Sequence, residues 1–419
     1  MEQVLAASKA SLIQSLDFSG PPPFADYVQS RQQISIVPQG GNTYSPSGVK
    51  QIRFSVTTSG PFVDLSTLCI SAKVVNKAAL AANKLTPLAP SLGGFFQEAR
   101  CYMGGTEVER MTNYARTEAL LHRFMPSEKR QQLYEEGFGS EVDGTGNDVA
   151  FTSKAIDGAN GSVDVIWRPT MGLLQQKNYV PTAFLSGGGC IFEFLMQNTG
   201  ADSCDTSGTN SSDYELQDLK LLVDVVQVDS AFLTSFSKAL LNGTSLVIPV
   251  QQYATTLFAV TSEDSLQLVH ARAYTRVNSV FTTFFRTATA TSKEMNQFYL
   301  GNQAITSQVQ IGAKLWPDHR NDTMALHYHR LLHTLGIANS SATCNISLKQ
   351  FKSDAFCVAT DTESVPGQAH GSGYSTHNAS LTCDLRNLGT GALKPNSAYI
   401  TIYHEALISI SQDGVEVAI

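Results

Sequence analysis

Leu219-Lys220-Leu221-Leu222-Val223-Asp224-Val225-Val226-Gln227-Val228 lies just past the middle of a chain of 419 residues, and Ser230 to Leu241 follow after a single Asp229. The first stretch is dominated by Val and Leu, which pack well on a pleated and buried surface, and it predicts a long strand. The second, Ser230 to Leu241, reads as a helix that ends at Asn242-Gly243. A long strand that closes one unit, then a helix, then a stop, marks a domain boundary.

Working outward, the same signals recur on both sides. Gln51-Ile52-Arg53-Phe54-Ser55-Val56 alternates apolar and polar residues, the mark of a half-buried strand. Further strands are predicted upstream at 62–65, 68–74, 163–167 and 190–195, with a polar loop over 198–213. Downstream they fall at 246–250, 266–271, 280–285, 308–311 and 399–411. The chain closes with the turn Gln412-Asp413-Gly414 and Val415-Glu416-Val417, an Asp-Gly hairpin signal. Helices are expected over 113–124, over 128–136 after Ser127 as N-cap, and over 326–335 before Gly336. Each half thus has several strands, a helix between strands and a long closing strand. This is a repeat of plan rather than of sequence. Two all-β sandwiches of about 180–200 residues fit. The division expected is an arm over 1–30, one sandwich over 31–229, a helical linker over 230–244 and a second sandwich over 245–419. Within the arm, Val4, Leu5, Leu12, Ile13 and Leu16 suit an amphipathic helix, and Pro21-Pro22-Pro23 breaks it.

Composition narrows the function. Hydrophobic residues make up 42% and charged residues 16%, the latter below the usual value of about a quarter. Ser, Thr, Asn, Gln and Gly fill the difference, as suits long polar loops and surfaces that meet other proteins. The net charge is −7. Binding nucleic acid through counterion release requires a basic face or tail; the densest basic cluster, Lys129-Arg130 near Arg123, sits beside Glu128, Glu135 and Glu136. The seven cysteines are odd in number and contain no Cys-x-x-Cys, so neither a disulfide framework nor a zinc ribbon is expected. The first residues, MEQVLAASKASLIQSLDF, have no basic start and no sustained apolar run, so no signal peptide is expected. Folding in the cytosol or nucleus follows. Seven Asn-x-Ser/Thr sequons, at Asn160, Asn210, Asn242, Asn321, Asn339, Asn345 and Asn378, are what chance places in a chain this rich in Asn, Ser and Thr.

Several segments resemble the major capsid proteins of polinton-like viruses, polintons and virophages. Phe62-Val63-Asp64-Leu65-Ser66-Thr67-Leu68 is similar to the opening strand pair of that family. Asn113-Tyr114 through Leu120-Leu121, followed by Lys129, Leu133 and Gly137-Phe138, is similar to its helical insertion. Ser279-Val280-Phe281-Thr282-Thr283-Phe284, Gln310-Ile311-Gly312-Ala313-Lys314-Leu315-Trp316-Pro317, His329 to Gly336 and Gln412-Asp413-Gly414-Val415-Glu416-Val417 follow in family order. The resemblance implies two tandem jelly-roll barrels and a shell protein of an icosahedral DNA virus. It implies a homotrimeric, pseudo-hexagonal capsomer that meets neighbouring capsomers, penton and minor capsid proteins in the virion. No enzymatic activity is expected; no cofactor is expected, for want of ligand sets, and no tight nucleic-acid binding, for want of a basic patch. Synthesis in the host cytoplasm, with assembly there or in the nucleus, is expected.

The residues that might carry other chemistry are few. His327, His329 and His333, with His319 upstream, form the only histidine cluster; His329 and His333 share a helical face, but Arg330 stands where a zinc-protease glutamate would be. Gly104-Gly105 and Gly187-Gly188-Gly189 read as turns, since no Gly-Lys-Ser/Thr accompanies them; Gly371-Ser372-Gly373 reads as a loop. Asp361 and Glu363 are spaced as paired carboxylates, but a glycosidase also needs aromatic platforms, and the two tryptophans, Trp167 and Trp316, are far apart in sequence. Trp316 reads equally as a core residue or as an anchor between barrels or subunits. No catalytic, cofactor or metal residues are therefore assigned. The alternative function is a carbohydrate-binding or carbohydrate-hydrolysing β-sandwich, which would be a monomer with an acidic, aromatic cleft.

Overall fold

A computed structural model describes residues 27–57, 60–126, 138, 155–185, 189–286, 295, 297–338, 344, 346–365 and 370–419. The first half carries β1 (Val28–Ile36), β2 (Thr43–Tyr44), β3 (Gln51–Val56), β4 (Phe62–Asn76), β5 (Phe96–Met103), β6 (Thr106–Thr112), β7 (Ser162–Trp167), β8 (Cys190–Met196) and β9 (Tyr214–Val228). Helix α1 (Tyr114–Phe124) and the single turn α2 (Gly172–Gln175) interrupt them, and α3 (Ser230–Leu241) follows. The second half carries β10 (Leu246–Ala259), β11 (Ser265–His270), β12 (Arg276–Phe285), β13 (Thr306–Ile311), β14 (Lys314–Asn321), β15 (Cys357–Asp361), β16 (Leu381–Arg386), β17 (Ser397–Ser411) and β18 (Gly414–Ala418), with α4 (Met324–Thr334) and α5 (Leu348–Phe351) between β14 and β15.

The strand order is the same in both halves. Sheets β1-β9-β4-β7 and β3-β8-β5-β6 make the first sandwich; β10-β17-β12-β15 and β11-β16-β13-β14 make the second. Setting aside the two-residue β2 and the closing β18, each half reads 1-8-3-6 on one sheet and 2-7-4-5 on the other. That is the eight-stranded jelly roll, two Greek keys wound together. In both, a helix (α1, α4) is inserted between the fifth and sixth strands. Each long eighth strand, β9 and β17, is central to its sheet, which is why 219–228 and 399–411 are the most continuous apolar runs in the chain.

Most sequence expectations hold, and some change. The strand pieces 62–65 and 68–74 are one strand, β4, with a register shift between Asp64 and Cys69; Asp64 there accepts hydrogen bonds from the Ser66 amide and hydroxyl. Gly104 and Gly105 form a two-residue β5–β6 turn, both at positive φ, as a type I′ hairpin demands. Gly414 opens β18 opposite Ser411, the expected closing hairpin. Trp316-Pro317 sits inside β14, at the outer edge of its sheet, where a residue without an N–H is tolerated. Strand β1 already pairs with β9 from Val28, inside the span expected as an arm. The predicted helices in the arm and over 128–136 lie outside the described residues.

The two sandwiches share apolar packing. The core of the first, built on Phe54, Phe96, Trp167, Phe192 and Phe194, continues into Ile248, Val250, Ala406, Ile408, Ile410 and Val415 of the second. A separate core inside the second roll gathers Val280, Phe281, Phe284, Phe351 and Phe356. Helix α3 starts on the Asp229 side chain, which accepts from the Ala231 amide at 3.0 Å. It is held to the first roll by Phe232 and Phe236, packed on Phe62 and Phe184.

Candidate functional site

Two regions combine several chemical groups: the seam between the rolls, and a pocket at the outer edge of the second roll.

At the seam, polar contacts lock the apolar packing in register. Gln252 Nε2 donates to the Val108 carbonyl at 2.9 Å, and Thr112 Oγ1 donates to the Thr255 carbonyl at 2.9 Å. The Thr255 hydroxyl meets those of Thr117 (2.6 Å) and Thr401 (2.9 Å), so one hydroxyl chain runs from α1 through β10 to β17. Glu109, on β6, is buried here. Its two carboxylate oxygens accept the amides of Gly172 (2.7 Å) and Leu173 (3.1 Å), the exposed donors at the start of α2. Burial pushes its carboxyl up to about 7, and the two amides pull it part of the way back. Gly172 leaves no room for a side chain: a Cβ would lie 2.0 Å from the Gln251 carbonyl oxygen on β10. These are close backbone approaches across a fixed junction, the build of a rigid two-barrel block.

Sequence reasoning did not reach Glu109, because a lone Glu in an alternating segment reads as solvent-facing. It also passed over a buried ring stack in the second roll. His270 Nε2 and Tyr274 Oη are 3.0 Å apart, and Tyr274 lies 4.3 Å from the His404 ring. Burial holds His404 down at about 4 and lowers His270, so both rings pack neutral.

The histidine cluster disperses. His327 is buried, its ring nitrogens bonded to Ser307 Oγ at 3.0 Å and the Thr323 carbonyl at 2.9 Å. His319 and His329 face solvent. His333 Nδ1 lies 3.4 Å from Asp361 Oδ2. Among the described residues no group of three His, Cys, Asp or Glu side chains is placed to hold a metal ion. None of the seven cysteines is joined in a disulfide; five are buried, with Cys69 and Cys344 partly exposed. Trp167 is a core residue, stacked on Phe96 and donating from Nε1 to the buried Glu118 at 2.9 Å.

Trp316 is neither a core residue nor part of the seam between the rolls. It lies on β14, partly exposed, edge-on to Tyr374 at 4.7 Å between ring centroids, with Lys314 Nζ 4.7 Å from its centre. It lines a pocket of about 190 Å³ with Pro317, with Arg330 and His333 of α4, and with Asp361 and Glu363 at the end of β15. Three features that the sequence showed separately, the lone surface tryptophan, the histidine helix and the carboxylate pair, thus share one site. They meet because α4 packs along β15 while β14 forms the neighbouring edge.

The surface also keeps exposed apolar positions among the described residues. On the outer face of β10 and β17, Pro249 is paired with Leu407, and Val247 lies two residues along; Val247 and Leu407 are each about half exposed. Leu241, at the end of α3, is 61% exposed just before them. Neighbouring exposed apolar positions such as Val247 and Leu407 mark a protein contact more than scattered single residues do.

No protein-family model and no curated protein sequence matches the chain. Solved structures match it in fold. The PBCV-1 VP54 structure fitted into a reconstruction of the virophage Sputnik superposes with a TM-score of 0.63 at 10% identity, over 95% of this chain and 99% of that one. The Faustovirus major capsid protein gives 0.61 at 10% identity, over 96% and 94%. The mavirus major capsid protein gives 0.50 at 11% identity, over 97% and 95%. At such identities the likeness is one of fold, and it spans the chain from end to end: the architecture is the double jelly roll.

Proposed function

We propose that this chain is the major capsid protein of an icosahedral DNA virus, working as a homotrimer with a pseudo-hexagonal outline. The observation that carries the reading is the repeated strand order. One chain holds two jelly rolls of the same winding, fused through a shared apolar core and a hydroxyl chain into one block. Three copies about an axis set six similar barrels around it. Such a tile fills a near-hexagonal lattice under cyclic threefold symmetry alone. The end-to-end fold likeness to viral major capsid proteins supports the same reading.

In this proposal 31–229 and 245–419 are the two rolls, 230–244 joins them, and 1–30 serves as an arm toward neighbouring subunits or inner components. The exposed apolar positions Val247 and Leu407, side by side on β10 and β17, suit a contact between subunits. Neighbouring capsomers, a penton and minor capsid proteins are the partners, the virion is the location, and host cytoplasm or nucleus is the place of assembly. The chain carries no catalytic residues and needs no cofactor, and with a net charge of −7 it gains little from counterion release on DNA.

Native mass spectrometry of the recombinant protein, followed by negative-stain imaging, tests this. The expected result is a trimer with a hexagonal outline and little free monomer, since obligate interfaces commonly exceed about 2,000 Å². A stable monomer at micromolar concentration, or a dimer with twofold symmetry, refutes it.

A further inference from the structure

We infer that the pocket between β14, α4 and β15 binds one neutral monosaccharide unit, as found at the end of a glycan chain. The inference stands on the pocket itself and does not depend on the capsid reading.

The chemistry of the walls selects the ligand. Arg330 Nε is sealed from solvent with no hydrogen-bond partner, and the guanidinium has no carboxylate within ion-pair distance among the described residues. Its two terminal N–H₂ groups are not sealed in this way and are the donors that a ligand oxygen can meet. Opposite it, Asp361 accepts the Glu363 amide on Oδ1 at 2.8 Å and faces His333 through Oδ2. A carboxylate has about four acceptor positions, so Asp361 keeps capacity for ligand hydroxyls. Trp316 supplies an aromatic wall whose position is set by Tyr374 and Lys314.

The two carboxylates, Asp361 and Glu363, are balanced by Arg330 and by Lys314 over the Trp316 ring, so the pocket has no net charge that favours a free anion or a cation. A purely apolar molecule would strip water from these charges without replacing their hydrogen bonds. A sugar ring meets every wall. Its hydroxyls donate to Asp361 and accept from Arg330, and its C–H face lies against the indole. At about 190 Å³ the pocket is smaller than the roughly 300–1,000 Å³ of drug-sized sites, and it suits one ring. Asp361 and Glu363 stand two residues apart on the same wall, whereas glycoside cleavage needs carboxyl groups on both sides of the bond. The site therefore holds a sugar without hydrolysing it.

The test is saturation-transfer difference NMR on the purified full chain in its native oligomer. The probes are the methyl glycosides of glucose, galactose and mannose, together with N-acetylglucosamine, and N-acetylneuraminic acid serves as the anionic comparison. At least one neutral sugar should bind with a dissociation constant on the order of 1 mM, as expected for so small a ligand. Asp361→Asn and Arg330→Gln should each weaken binding at least tenfold with the oligomer mass unchanged. Trp316→Ala should abolish transfer to the ring C–H protons; if one variant fails to fold, the remaining two decide. Absence of transfer from every neutral sugar at concentrations far above millimolar overturns the inference. So does binding that persists in the variants, or a preference for N-acetylneuraminic acid.

Discussion

Replacing Glu109 by Gln probes the seam between the rolls directly. In the folded chain the carboxyl titrates at about 7 against an ordinary 4.5, because burial disfavours its charged form. The folded state therefore holds the proton more tightly than the unfolded state. Below about pH 4.5 both states are protonated and the fold carries no penalty. Between about 4.5 and 7 the unfolded chain releases the proton first, and stability falls as the pH rises. Above about 7 the cost levels off at about 3 kcal/mol, from 1.36 kcal/mol per pH unit. Glu109→Gln removes this titration. It also turns an amide N–H₂ toward the Gly172 or Leu173 N–H, losing one buried hydrogen bond at a cost of about 1–2 kcal/mol at any pH. The variant should thus be slightly less stable than the parent at pH 5 and more stable at pH 8. The difference between them should move by about 2.5 kcal/mol across that range, or roughly 5–10 °C in melting temperature for a roll of this size. Scanning calorimetry of both proteins at pH 5, 6, 7 and 8 and one ionic strength reads it. Buried His404, held near 4, loses stability in the opposite direction as the pH falls below about 6.5. It is present in both proteins and cancels in the difference. A melting difference that stays constant from pH 5 to 8 refutes the reasoning.

Gly172→Ala should cost at least about 3 kcal/mol, since its Cβ would meet the Gln251 backbone at 2.0 Å and neither backbone can yield without opening the seam; soluble yield and melting temperature check it. Mass spectrometry after brief treatment of the native protein with a thiol reagent should find modification at Cys69 and Cys344 only. The other five cysteines are buried, and burial pushes the thiols of Cys101, Cys190, Cys204, Cys357 and Cys383 up. Deleting residues 1–24 should leave the melting temperature unchanged and impair shell assembly. Extending the deletion through Ser30 should also lower stability, because it removes the Tyr27–Phe232 contact and the first rungs of the β1–β9 ladder. Circular dichroism and electron microscopy separate the two effects.

Some strands with a buried face announced themselves, whereas β15 and β16 did not, although β15 is almost wholly buried and β16 alternates. β3 alternates Gln51, Arg53 and Ser55 with Ile52, Phe54 and Val56, and the observed burial follows that pattern. β9 and β17 are central strands and read as long apolar runs for the same reason. The strands that escaped notice lie at edges or carry charge. β1, VQSRQQISI, is almost wholly exposed and owes its order to pairing with β9 rather than to any pattern of its own. In β5 and β6, the buried Glu98 pairs with the partly exposed Arg100 and Arg110 across the strands, and these charges mask the alternation. β14 contains Pro317, which argues against a strand until its place at the sheet edge is known.

Local chemistry, then, determined what each segment became: period-two alternation made strands, Asn242-Gly243 stopped a helix, and Gly-Gly and Asp-Gly made hairpins. From these the sequence by itself predicted an all-β chain, and two units with a boundary near residue 240 were its expectation. Which strands lie side by side, and which side chains meet, was left to tertiary structure. Pairing in a jelly roll joins residues as far apart as Val28 and Val228, and nothing in a window of ten residues encodes a partner two hundred positions away. The seam carboxyl of Glu109 and the pocket of Trp316, Arg330 and Asp361 belong to that second class. Each residue is ordinary alone, and each acquires its chemistry only when the closing of the sheets removes water and brings the others within reach.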